Sequence, residues 1–113
     1  MKVLETLVGD VFVESVNLDR GTITEANTLK EILEKRISDG CGKFVVDLSL
    51  CEYIDSTFLG VLVNALKKAA KLEGDLKLVG FKPAVHAMFE LTRLYRVFET
   101  FKDVPSAVKS FSK

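Results

Sequence analysis

Phe44-Val45-Val46-Asp47-Leu48-Ser49-Leu50-Cys51-Glu52-Tyr53-Ile54-Asp55-Ser56-Thr57-Phe58-Leu59-Gly60-Val61-Leu62 decides how the rest of this chain reads. Phe44 to Leu48 is a short apolar run of aromatic and β-branched residues, which suits a strand and is too short for a helix. It does not alternate, as expected of a strand covered on both faces. Asp55-Ser56-Thr57 is a cluster of helix-starting residues. Behind it Leu59, Leu62, Val63, Leu66 and Ala70 recur three and four apart, as one face of a helix requires. The stretch therefore predicts a buried strand, a short polar crossing and an amphipathic helix from about Thr57 to Glu73, with Leu62 and Leu66 packed on the sheet. Ser56 falls at or near the N-cap, where its hydroxyl can accept a bond from a free N–H of the first turn. Phe58 lies near one edge of the apolar half of the helix, open to two readings: core residue or partner anchor. Val61 lies just outside that half. Asn64, Lys67, Lys68 and Lys71 share the opposite side and read as a solvated face.

Upstream, Lys2 to Val8 and Val11 to Val16 are strand candidates joined by a tight turn at Gly9-Asp10. Asn17-Leu18-Asp19-Arg20-Gly21 is a loop. Thr24 is a good N-cap for a helix from about Glu25 to Ser38, with Ala26, Leu29, Leu33 and Ile37 as its stripe. Asp39-Gly40-Cys41-Gly42 ends it with glycine chemistry. Downstream, Gly74-Asp75 makes a turn and Leu76 to Val79 a buried strand. Lys82-Pro83 opens a third helix with Val85, Met88, Phe89 and Leu91 as its apolar residues. Leu94, Val97, Phe98 and Phe101 suggest a last short strand and its approach, and Asp103 caps a final helix from about Val104 to Phe111. Strands alternating with helices call for parallel pairs joined by crossovers, while the opening hairpin makes the sheet mixed. The expected fold class is α/β, one domain over residues 1–113 with a mixed sheet of four to five strands and four helices.

The signature stretch resembles the STAS domain of bacterial anti-sigma factor antagonists. In that family a strand ending in Asp-Leu-Ser leads to a Phe/Tyr-Ile/Met-Asp-Ser-Ser/Thr-Gly-Leu-Gly segment. The matching residues are Asp47-Leu48-Ser49, Tyr53-Ile54-Asp55-Ser56-Thr57 and Leu59-Gly60, with Phe58 where the family usually has glycine. Leu18-Asp19, Phe81 to Val85 and Leu94 to Phe98 extend the likeness over nearly the whole chain. The resemblance implies a STAS-type order of elements and a phosphorylation site at Ser56. It also implies a partner surface around Asp19, Asp55, Ser56, Thr57, Phe58 and Val61. The implied partners are an anti-sigma factor that is itself a serine kinase, bound while Ser56 is unmodified, and a PP2C-type phosphatase that reverses the modification. ATP would belong to the kinase, so no cofactor is implied for this chain. An accessory subunit of a transporter or stress-signalling complex, or a nucleotide- or small-molecule-binding STAS domain, stays open as an alternative.

Composition sets the outer limits. Sixteen basic residues balance sixteen acidic ones, so the positive field that nucleic-acid binding uses is missing. The N-terminus alternates charged and apolar residues, and no apolar run approaches membrane-spanning length, which points to the cytoplasm. Cys41 lies in a Gly-Cys-Gly turn and Cys51 beyond the following strand, too far apart for a disulfide. Two cysteines and the lone His86 make no zinc set. No nucleophile is paired with a base: Asp55 adjoins Ser56, but the only histidine lies 30 residues on, in another helix. Ser56 therefore reads as a substrate of another enzyme, and the chain as a binding module and not an enzyme. Monomer and weak homodimer are both compatible with the sequence.

Overall fold

The computed structural model describes residues 3–16, 20–21 and 23–112. Strands β1 (Val3–Val8) and β2 (Val11–Val16) form an antiparallel hairpin, with Gly9 at φ +64° in the turn. A two-residue strand β3 (Arg20–Gly21) precedes helix α1 (Ile23–Ser38). Then come β4 (Lys43–Asp47), β5 (Tyr53–Ile54), α2 (Ser56–Lys71), β6 (Asp75–Val79) and α3 (Pro83–Thr92). A 3-10 turn at Leu94–Arg96 leads to β7 (Thr100–Phe101) and α4 (Val104–Ser110). The main sheet has five strands in the order β1-β2-β4-β6-β7, parallel except for the hairpin. The architecture is the expected mixed α/β one with four helices.

Alternation along the central strands explains why the middle of β4, Phe44-Val45-Val46, is apolar without a break. Phe44 and Val46 enter a core shared with α1, α2 and α3, while Val45 enters a second core under α4 with Val11, Val13, Val79 and Ala107. Side chains of one strand point alternately to the two faces, so a strand with helices on both sides has no solvent-facing position. Lys77 breaks the rule in β6. It is 6% exposed, donates to Ser110 Oγ at 2.6 Å and lies 4.2 Å from the Phe111 ring centroid. Its ammonium thus fastens α4 to the sheet through a hydrogen bond and a cation–π contact.

Several local expectations shift. Helix α1 spans Ile23–Ser38, so Thr24 falls within it and not ahead of it. Tyr53–Ile54 is a strand, β5, paired in parallel with β3 as a separate two-stranded sheet. The buried stripe of α2 is Phe58, Leu59, Leu62, Ala65 and Ala69, rotated from the expected one. Leu66 and Val63 are only partly buried and Ala70 is exposed. The large Phe58 ring takes a core position, and small alanines at 65 and 69 then fill the same face. Leu91 in α3 is 82% exposed, because Val85 and Phe89 already form that short helix's buried side. Cys41 and Cys51 are not linked, as expected.

Candidate functional site

The loop that leaves β4 is built to present the start of α2. Leu48 N–H donates to Val79 O at 2.9 Å, which holds the chain on the sheet one residue past the strand. The Asp47 side chain then accepts from Ser49 N–H at 2.9 Å, and Cys51 N–H closes a turn onto Leu48 O at 3.0 Å. Gly80, at φ +62°, passes so near that a Cβ there would lie 2.6 Å from the Ser49 Cβ. A side chain at 80 would push the loop away, so glycine is required there on two counts. Ile54, fully buried, anchors the end of the loop beside the core.

Asp55, and not Ser56, caps α2. Its backbone is extended and its Oδ1 accepts from Phe58 N–H at 2.8 Å. A carboxylate at this position satisfies a free N–H and also complements the positive end of the helix dipole, so it serves better than the adjacent hydroxyl. Ser56 becomes the first helical residue. Its side chain is exposed, as is that of Thr57. The N–H groups of Ser56 and Thr57 have no acceptor within the helix, as at any helix start. No acidic residue sits in the first turn. An anion on Ser56 would therefore meet free N–H donors and the dipole, opposed locally by the Asp55 charge.

Beside this helix start runs a groove of about 230 Å³ between α1 and α2. Asn27, Lys30 and Glu34 line it from α1, and Thr57, Gly60 and Val61 from α2. Gly60 keeps it open: nothing lies within 4 Å of where its Cβ would be. Of the residues expected on a partner surface, Asp55, Ser56, Thr57 and Val61 are brought together here. Phe58 is not. Its side chain is 0% exposed and belongs to the core, so it supports the helix start from beneath and cannot touch a partner directly. Asp19 lies outside the described residues. Sequence reading missed the groove's α1 wall, because nothing local marks Asn27 or Lys30 as facing α2. Gly60 in mid-helix was the one available signal, since glycine there weakens a helix and asks for a reason.

Among the described residues the fold adds no nucleophile–base pair. His86, on α3, is exposed and lies 3.5 Å from Glu90 of the same helix. No cluster of potential metal ligands occurs among the described residues, and no described helix is long and apolar enough to cross a membrane. What this site offers is an exposed hydroxyl on a capped helix start, next to a mixed polar and apolar groove.

Comparison with known proteins agrees with this geometry. Residues 20–99 match the family model described as "Mlab, STAS domain". An anti-sigma-B factor antagonist of Staphylococcus aureus is 33% identical over 94 residues, covering 80% of this chain and 84% of that one. A crystal structure of a candidate anti-sigma factor antagonist from Thermotoga maritima superposes with a TM-score of 0.87 at 26% identity, covering 98% and 95% of the two chains. The phosphorylated form of the Bacillus cell fate determinant SpoIIAA superposes with a TM-score of 0.77, covering 98% and 99%; at 10% identity that likeness is one of fold.

Proposed function

Because this chain belongs to the STAS-domain family of anti-sigma factor antagonists, which are regulatory binding proteins and not enzymes, we propose that it is a phosphorylation-switched antagonist. Unmodified, it binds an anti-sigma factor that is a serine kinase and so frees a sigma factor. The kinase transfers the γ-phosphoryl group of its ATP to the Ser56 hydroxyl, and the complex comes apart. A PP2C-type phosphatase hydrolyses the phosphoserine and restores the binding form. In this reading the exchange takes place in the cytoplasm.

The observation that carries the proposal is the exposed Ser56 side chain at the first helical position, directly after the Asp55 cap. A kinase can reach it without unfolding anything. The phosphate adds about −1.5 to −2 charge, which the free N–H groups and dipole of α2 tolerate, so the fold survives. The surface changes instead. A contact made to a neutral hydroxyl beside Asp55, Thr57 and the groove at Val61 then faces concentrated negative charge and its desolvation cost.

The test is kinase-driven phosphate incorporation mapped by mass spectrometry, beside kinase affinities for wild type, Ser56→Ala and Ser56→Asp. Ser56→Ala should block modification and keep binding, with a capping-type loss below about 1 kcal/mol because Asp55 remains the cap. Ser56→Asp should weaken binding, though less than phosphorylation does, since it carries about half the charge. Unmodified Ser56 after incubation with the kinase, together with wild-type affinity for Ser56→Asp, would replace the switch with an accessory-subunit role.

A further inference from the structure

Strand β1 is an edge of the five-stranded sheet, bonded to β2 on one side and to no other strand among the described residues. The other edge, β7, is only two residues long, and shortness is one way a sheet avoids pairing with its neighbours. β1 has six residues in unbroken register with β2, with no proline, lysine or bulge among them. Leu4 is 68% exposed, Leu7 56% and Val8 42%. The one charge on the strand, Glu5, is already held by Arg36, with Nη2 donating to Oε1 at 2.6 Å. Among the described residues no proline, lysine, bulge or further strand guards this edge, and Glu5 is its single charge.

The hairpin decides which main-chain groups are free. Gly9, at φ +64°, is the first of two turn residues, and Val8 faces Val11 across the turn. The closing pair of such a turn exchanges both main-chain bonds, and bonded and non-bonded pairs alternate from there. Val8, Thr6 and Leu4 therefore turn their N–H and C=O groups toward β2, while Val3, Glu5 and Leu7 turn theirs outward. Leu4, Thr6 and Val8 lie on the sheet face of their partners Ser15, Val13 and Val11, the face that α4 covers farther in.

We infer that this edge pairs antiparallel with β1 of a second copy of the chain, about a two-fold axis at Thr6. The two five-stranded sheets then continue into one. A second copy is the occupant because the edge is self-complementary. Two-fold pairings that use the outward groups and overlap most of the strand centre on Glu5 or on Thr6. Centring on Glu5 sets two carboxylates directly opposite each other, which is destabilising. Centring on Thr6 sets Leu4 opposite Val8 of the second copy, an apolar pair on each side of the axis. Glu5 and Leu7 then exchange main-chain bonds across the joint, and each Glu5 keeps its own Arg36.

Sedimentation velocity on the full chain, at concentrations up to about 1 mM, should show a reversible monomer–dimer equilibrium. Thr6→Lys places two ammonium groups against each other at the axis and should abolish the dimer. Thr6 is exposed in one copy, so the melting temperature of this variant at low concentration should match wild type. The register has its own readout. Opposed residues in a non-bonded pair sit about 4.5 Å apart at Cα, within disulfide reach. Thr6→Cys in a Cys41→Ser background should therefore give a covalent dimer on mild oxidation, and Leu7→Cys in the same background should not. A wild-type chain that stays monomeric over the whole range overturns the inference, as does a dimer that Thr6→Lys leaves intact. A wild-type dimer that Thr6→Cys cannot lock places the axis elsewhere and overturns it too.

Discussion

Glu14 carries a carboxyl group into the interior of β2, where it is 0% exposed. Its neighbours are Glu5 across the hairpin and Val46 on β4. Neither oxygen meets a hydrogen-bond partner of ordinary geometry among the described residues. Burial first and the nearby Glu5 carboxylate second push its pKa up to about 9, only partly offset by Arg36. Glu5 goes the other way, held below the usual carboxylate range first by its bond to Arg36. The pair thus divides the work, with Glu14 keeping a proton and Glu5 keeping the charge. In the unfolded chain Glu14 releases its proton near the ordinary value of 4.5. Between 4.5 and about 9 the native state binds the extra proton, so stability falls as pH rises. The slope from this group is about 1.4 kcal/mol per pH unit at most. Glu5 adds no slope there, since its charge is present in both states above 4.5. Glu14→Gln should flatten the decline in melting temperature from mildly acid to alkaline pH. Parallel pH profiles for the variant and wild type would show that Glu14 is not the titrating group.

Helix α2 shows how element-scale reading succeeds and where it stops. Its existence, its start to within a residue and its amphipathic character are legible, because five apolar residues at helical spacing follow a capping cluster, although the cap is Asp55 and not Ser56. Its rotation is not. Apolar residues fill about half the circumference, and which of them point inward depends on α1 and the sheet, which no local pattern encodes. Phe58 settles the matter by entering the core, leaving Leu66 at the margin. Leu62→Ala should therefore cost about 2–5 kcal/mol as a fully buried truncation. Leu66→Ala should cost about 1 kcal/mol, mainly the apolar area it removes from water. Denaturant midpoints for the two variants check this, and a larger loss at Leu66 would reverse the assignment of faces. The β3–β5 pair escaped notice for a different reason: two-residue strands carry no periodicity to read. At the candidate site Ser56, Thr57 and Val61 could be found in the signature stretch. The α1 wall of the groove could not, since it exists only through packing.

At the scale of the molecule, the sheet divides two unequal cores. On one face α1, α2 and α3 bury Phe44, Phe58, Phe89 and a large set of leucines. On the other, α4 alone covers Val11, Val13, Val45 and Val79, with Ala107 as its one fully buried contribution. Seven residues are too few for a helix to persist without tertiary support. That support is the Asp103 cap, whose Oδ1 accepts from Ser106 N–H at 2.8 Å, partial burial of Val104, Val108 and Phe111, and the Lys77 anchor. Local opening free energy follows such differences in buried contact, so α4 belongs to the low-stability end of the domain and β4 and α2 to the high end. Native-state hydrogen exchange should find α4 amides exchanging well before those of β4 and α2. Lys77→Met tests what holds the helix. It keeps the volume and removes the bond to Ser110, the contacts with the Phe111 and Phe101 rings and the ion pair with Glu99. If the anchor matters, α4 exchange should quicken in the variant while α2 exchange stays put. If desolvation of the buried ammonium outweighs its contacts, the variant should instead protect α4 better, as apolar replacements of buried charges often do. Exchange in α4 as slow as in β4 in the wild type would contradict the two-core account, because the thin side of the sheet would then be as firmly held as the thick one.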